Sequence, residues 1–353
     1  MPGVNHPRPR SDARFSRSRA LCRALAVLCP ALLIVSASST PGRAGDEAEQ
    51  GTACSVPAFV PDDDATMVAA YDGLRRGLED AHLPRVCRRR PDAPGDQAAW
   101  ERAASDVSAK GAAFVVVFGR GFGERVGSLS FLRPGTEGLG RIPSVYVDAA
   151  SSVAGIAFPE RPDPAPPSAL VRAESPIEAT LAVIRQLLPA KAMPLVELTF
   201  AEDSPRSRAW RDAVLGAGLA TRLYGAAGAP LDLFLDAPLG LGERAVPFDE
   251  VLARARASHR PILSLDRGRF GKGAAVVVCP DGALLGRVAA EAARQLSAGE
   301  GVDRALRLPV RSVEVFVDLD AADAQGVSIP LALVAAADRV RATKAAPKRG
   351  SGK

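Results

Sequence analysis

The sequence predicts an α/β fold of two doubly wound parallel-sheet lobes joined by a hinge. Three observations carry this expectation. Short apolar runs alternate with amphipathic helical stretches along most of the chain, the pattern of parallel sheets covered by helices on both faces. The strand–helix–strand order that begins at residue 54 repeats from residue 194, with Ala70-Tyr71-Asp72 in the same part of its helix as Ala209-Trp210-Arg211. The 353 residues are enough for two domains of ordinary size.

Residues 54–60 form a short apolar run containing Pro57, which suits an irregular or edge strand. Asp62, Asp63 and Asp64 make the following loop, and 65–81 is a helix with Val68, Tyr71, Leu74 and Leu78 on one face. A strand at 85–88, a helix at 97–110 and a buried strand at 113–118 follow, until Gly119, Gly121 and Gly123 break the pattern. Ile142-Pro143 introduces a strand at 144–148, and the Pro-rich stretch 159–167 reads as a surface loop. Ser175-Pro176 starts a helix over 177–188 with Glu178 in its first turn.

Strand 194–200, loop 201–205, helix 207–217 and strand 220–224 then repeat the opening. A strand at 231–236 ends in an acid and is followed by a helix at 248–258 and a strand at 261–266. The last third holds a strand at 274–279 and a helix at 286–296. A half-buried strand at 312–319 comes next, then a short helix at 321–325 and a final helix at 331–341. The tail 342–353 is basic, lacks an apolar stripe and is expected to be disordered.

The net charge of +5 hides an uneven distribution. Residues 1–44 hold seven Arg and one Asp, and 339–353 hold six Lys or Arg and no acid, so the body between them is acidic, near −7. That body is no surface for nucleic acid. Arg14, Arg17, Arg19 and Arg23 precede an apolar run over 24–35 and then small residues, the pattern of an export signal cleaved after Ser38 or Ala44. The run is too short to cross a bilayer comfortably, and an uncleaved anchor is the alternative. Cys54 and Cys87 lie in neighbouring expected strands and either form a disulfide or remain two buried thiols, while Cys279 reads as a core thiol. Aromatics at 5% argue against a sugar-stacking groove.

Signatures of catalysis are missing. Gly119-x-Gly121-x-Gly123 lacks the spacing of a dinucleotide fingerprint, and no helix follows it directly. Outside the signal only His82 and His259 remain, both at helix ends, and no Cys/His cluster has zinc spacing. No Gly-x-Ser-x-Gly elbow appears. The expectation is a protein without catalytic residues, metal or cofactor.

The C-terminal third carries a resemblance. An apolar strand over 273–279 leads through Asp281 to Gly286-Arg287 at a helix start, and Ala298-Gly299-Glu300 and Leu308-Pro309-Val310 continue the order. The segment closes with 315–318, Ala321-Ala322, Gln325-Gly326-Val327-Ser328-Ile329-Pro330 and Ala336-Ala337-Asp338. This segment resembles the periplasmic substrate-binding proteins of ABC transporters, in the branch similar to tryptophan- and other amino-acid-binding members. The resemblance implies a type I periplasmic binding fold. Upstream, Ile142-Pro143-Ser144-Val145 and Gly155 resemble the stretch near that family's first crossing. Three positions depart from the pattern: the usual Asn-x-Thr-Gly stretch is missing after the crossing, the usual closing-strand Asn is Asp318, and Cys54-Ser55-Val56-Pro57 replaces a Gly-rich first strand.

In open parallel sheets ligands sit beyond the carboxyl ends of the strands. Those ends give the candidate ligand residues: Asp62, Asp63, Gly119, Arg120 and Asp281 in the first lobe, Asp203, Ser204, Asp236 and Asp266 in the second, and Asp148 near the crossing. Each acid or Ser has a second reading as a helix cap or turn residue. Acids outnumber bases, which favours an amine-bearing solute, and Arg120 or Arg267 would complete an amino-acid site. The expected organisation is a signal peptide at 1–44, first lobe at 45–148 and second lobe with crossing loop at 149–266. A return to the first lobe at 267–306 and a closing strand and helix near the hinge at 307–341 follow, with the tail at 342–353. The expected function is a monomeric, periplasmic solute receptor that hands a small polar molecule to an ABC permease in the inner membrane. A degenerate protein of this fold acting as an envelope sensor or interaction component is the alternative.

Overall fold

The computed structural model describes residues 56–60, 64–83, 85–89, 114–119, 142–148, 168–174, 176–188, 193–200, 205–226, 230–237, 246–299 and 306–343, with the single positions 102, 106 and 112. All lie in the compact unit Gly51–Lys353. The expected export signal, Cys54 and most of the expected 97–110 helix lie outside the described residues.

The first sheet is built from β1 (Val56–Phe59), β2 (Val86–Arg89), β3 (Val115–Gly119), β4 (Ser144–Asp148), β5 (Ser168–Ala173) and β11 (Leu306–Val310). Its order is β11-β5-β4-β3-β1-β2, and every pairing is parallel. Helix α1 (Ala65–Asp80) joins β1 to β2. The second sheet has the order β13-β12-β10-β9-β8-β6-β7. It contains β6 (Leu195–Leu198), β7 (Ala220–Leu223), β8 (Leu233–Asp236), β9 (Ile262–Ser264), β10 (Val276–Pro280), β12 (Val313–Asp318) and β13 (Arg339–Arg341). Among the described residues of this sheet only β12 runs antiparallel to its inner neighbour, β10. Strand order reverses between β1 and β3 in one sheet and between β6 and β8 in the other, so the repeat seen in the sequence is a repeat of topology.

Helices α2 (Ile177–Leu187), α3 (Pro205–Gly216) and α4 (Phe248–Ser258) serve the second sheet. Helix α5 (Gly282–Ser297) follows β10 but packs on the first sheet, placing Leu285, Ala289, Ala293 and Leu296 in the core with α1. Two short helices, α6 (Leu319–Ala324) and α7 (Leu331–Ala336), finish the second unit. The β-branched runs Val115–Gly119 and Val276–Pro280 are buried throughout, as expected of central parallel strands covered on both faces.

Among the described residues the chain therefore passes between the sheets three times: after Ala173, after Pro280 and after Val310. This moves several boundaries. The first sheet extends through β5 to Ala173, well past 148, and β10 belongs to the second sheet, not to a return segment starting at 267. Pro57 lies in an interior strand rather than at an edge. Val56 N–H donates to Arg85 O on the β2 side, so residue 57 would aim its N–H at β3, where pairing begins only at Ala58. The missing donor costs no ladder bond there. The expected last helix stops at Ala336: Asp338 exchanges bonds with the Val315 backbone (2.7 and 2.8 Å), which turns 339–341 into a strand beside β12. Both His82 and His259, expected at helix ends, take left-handed conformations there.

Helices α1 and α5 meet through glycines. A methyl at Gly286 would run into the Ala70 carbonyl and one at Gly73 into the Ala283 carbonyl, so the two backbones touch. Gly286→Val should destabilise the fold by about 1–3 kcal/mol through overpacking. Gly216, with nothing within 4 Å, should gain about 0.4–1 kcal/mol on changing to Ala. Urea unfolding of the two variants checks both signs.

Candidate functional site

Polar side chains converge beyond the carboxyl ends of β6, β8 and β9. Asp236 ends β8 and accepts hydrogen bonds from Ser264 Oγ at 2.7 Å and Thr199 Oγ1 at 3.3 Å. Strand β9 ends in Ser264, whose Oγ also accepts from Asp266 N–H at 3.1 Å. Asp266 caps the 3₁₀ turn Arg267–Arg269 by accepting from Gly268 N–H at 2.9 Å. One turn on, Arg269 returns over both acids, its Nε 3.8 Å from Asp236 Oδ2 and 3.6 Å from Asp266 Oδ2. Its guanidinium lies 4.3 Å from the centroid of the Phe248 ring, which opens α4. The Arg269 Nε is buried and makes no hydrogen bond. From the other lobe, α1 comes up against this turn.

Burial pushes the Asp236 carboxyl above its ordinary value, against the opposing pull of the Ser264 hydrogen bond and the Arg269 charge. Asp266 nearby adds to the upward push, and Thr199 opposes it. The arrangement is two carboxylates to one guanidinium, with Asp236 short of positive charge and Arg269 short of a hydrogen-bond acceptor. A solute that brings an ammonium to Asp236 and a carboxylate to Arg269 would meet both needs. The buried acid Glu197 is a contrast. Arg222 and Arg254 bond it at 2.6 and 2.7 Å, so it is a satisfied element of the sheet rather than a site.

The other sequence candidates fall into three groups. Asp62, Asp63, Arg120, Asp203 and Ser204 lie outside the described residues. Gly119 and Asp148 are brought together at the carboxyl edge of the first sheet, directly paired in register. Asp148 is buried there, 3.8 Å from Arg172. Asp281 lies at a crossing, directly after the last ladder residue of β10, Pro280, and caps α5 through Leu284 N–H at 2.9 Å. It also accepts from Ser312 Oγ at 3.3 Å. Asp64 takes the capping role for α1, accepting from Thr66 and Met67 N–H. Cys87 and Cys279 are buried; the partner proposed for Cys87, Cys54, lies outside the described residues.

Thr199, Ser264, Arg269 and Phe248 were not among the sequence candidates. For Arg269 a signal existed: it stands three residues after Asp266, one 3₁₀ turn away. Among the described residues no group of His, Cys, Asp and Glu could hold a metal, and no helix is long and apolar enough to cross a membrane.

Comparison with solved structures places the architecture. A domain in complex with L-Trp from Streptococcus pneumonia, described as an ABC domain, superposes with a TM-score of 0.57 at 15% identity, covering 81% of this chain and 99% of its own. A conserved domain protein from Vibrio cholerae gives 0.56 at 14%, covering 81% and 98%. The ligand-free, open structure of a substrate-binding protein with adhesive properties from Clostridium difficile gives 0.56 at 13%, covering 78% and 95%. The chain has the type I periplasmic binding fold. At these identities the likeness is one of fold. No family model matches the sequence, and no curated protein does. Val317 pairs with Val276, Val276 with Leu263 and Leu263 with Leu235, so Asp318 sits at the amino end of β10 and within about two residues of the level of Asp236. There it caps α6 and meets Arg341 at 3.4 Å.

The raised Asp236 carboxyl has a measurable sign. Between its ordinary value of 3.8 and its higher folded value, the native state binds more protons than the unfolded chain. Stability is therefore lost as pH rises through that window. Asp236→Asn should remove this contribution, so the unfolding midpoint in urea should fall less steeply with pH, above pH 3.8, in the variant than in the parent.

Proposed function

We propose that the protein is an exported solute receptor that holds a small amine-bearing molecule, an amino acid or close relative, between its two lobes. The observation that carries this reading is the Asp236–Arg269 cluster beyond the carboxyl ends of the second sheet, where a largely buried acid meets positive charge only at 3.8 Å and a buried guanidinium nitrogen makes no hydrogen bond. Gly119 and Asp148 hold the matching edge of the first sheet. On this reading residues 1–44 direct export, the mature chain works in the periplasm as a monomer, and lobe closure presents the loaded form to an ABC permease. The L-Trp bound in a structural neighbour is compatible with this solute class.

Thermal unfolding against a panel of amino acids, small amines, sugars and nucleosides tests the proposal. An amine-bearing solute should raise the midpoint, by an amount equivalent to about 2.7 kcal/mol at a hundred times its Kd. Asp236→Asn should weaken every responding amine. Arg269→Ala should selectively weaken those that also carry a carboxylate. A flat panel on a folded protein, or a response confined to sugars, would overturn it.

A further inference from the structure

A cavity of about 890 Å³ opens at the hinge, and none of its lining residues belongs to the Asp236 cluster. One wall is the outer face of β5 and β11, where Leu170 and Arg172 stand opposite Arg307 and Pro309 in the parallel ladder. The other wall is the crossing from Glu174 into the first turn of α2, and Val313 of β12 closes the space. Ile177 adds an apolar side chain, while Leu308 turns its own into the core of the first sheet.

The polar groups are not balanced at the point where a ligand would lie. Arg311 is already engaged by Glu174 at 2.8 Å, out in solvent. Arg172 reaches Asp148 only at 3.8 Å. Arg307 has no acid within ion-pair distance among the described residues, and two residues of strand, roughly 7 Å, separate it from the level of Arg172. Glu178 is the remaining acid of the lining, and it is exposed in the first turn of α2. Pro176 gives that helix no side-chain cap, so the positive potential of its first turn adds to that of the two guanidiniums.

We propose that this hinge cavity is a second binding site, for a small organic anion with an apolar body, with Arg307 and Arg172 as its charged handles. Its walls come from both sides of the crossings: β5 and β11 lie before them, α2 and β12 after. Rotation about the hinge changes the spacing of these walls, so occupancy here is linked to lobe closure, and the linkage is reciprocal. The lining shares no residue with the Asp236 cluster; its one link to the proposed solute site is Arg172, 3.8 Å from Asp148.

The probe is 1-anilinonaphthalene-8-sulfonate, a sulfonate on a fused aromatic body, titrated by fluorescence into the folded chain. Saturable binding of one equivalent is expected. Arg307→Glu should raise its Kd tenfold or more, equivalent to about 1.4 kcal/mol. Arg307→Lys should keep most of the affinity, and Asp236→Asn should leave it unchanged within twofold. Arg307 is exposed on an edge strand, so both of its variants should keep the parent's unfolding midpoint. Absence of saturable binding, an unaltered Kd in Arg307→Glu, or a loss in Asp236→Asn as large as in Arg307→Glu overturns the proposal.

Discussion

Two backbone hydrogen bonds tie the three crossings to one another. Glu174 N–H donates to Val310 O at 2.8 Å, joining the first crossing to the third, and Asp281 N–H donates to Ser312 O at 3.0 Å, joining the second to the third. Everything the two sheets do together depends on this. The crossings leave the carboxyl ends of β5, β10 and β11, so a parallel sheet is delivered on either side with its strand ends toward the crossing region. Those ends are where a parallel ladder leaves loop residues and helix starts free to meet a solute. A fold that crossed at the amino ends would have put its caps and turns elsewhere. Ser312 and Asp281 add a side-chain bond to the same junction, so Asp281 has work there that requires no ligand.

The chemistry of the second sheet follows from how its acids are satisfied. Glu197 and Asp236 both sit on interior strands, yet two arginines hold Glu197, while Asp236 has two hydroxyl donors and a guanidinium at 3.8 Å. Burying a carboxylate without full charge compensation favours its protonated form, and the upward push at Asp236 expresses that. Phe248 and Asp266 meanwhile fix the place of Arg269 from two sides. Position and unmet charge together distinguish Asp236 from Glu197, since burial alone is common to both.

Legibility in the sequence tracked the length of apolar runs. Strands such as Val115–Gly119 and Val276–Pro280 announce themselves because both faces are covered. Strand β5 does not: Ser168 and Arg172 interrupt it, it follows a Pro-rich stretch, and its omission moved the first crossing to the wrong side of 168–173. Strand β11 is similarly hidden by Arg307 and Pro309, residues that an edge position tolerates. The sheet to which β10 belongs is a fact of long-range pairing, and nothing local in 274–279 encodes it. At the candidate site, the positions of Asp236 and Asp266 at strand ends were legible because strand ends can be read from the pattern. Thr199 and Ser264 were not, because a hydroxyl becomes informative only when the ladder places it beside a carboxylate.

The scarcity of aromatic residues finds its compensation in the first lobe. With aromatics at 5% of the chain, bulky side chains are few, and its helices are rich in Ala and Gly. Small residues at Gly73, Gly77, Gly282 and Gly286 let α1 and α5 approach until backbone meets backbone, so dispersion contacts are gained from main-chain atoms. Helix α5 reaches that groove only because the chain leaves β10 at the hinge, and Asp281 caps it at that point. The same residue therefore ends a strand of one sheet, starts the helix that completes the core of the other, and bonds to the next crossing. Loss of its side chain would act on packing and hinge geometry at once, which is why a strand-end acid in a sequence of this fold cannot be assigned to a ligand by position alone.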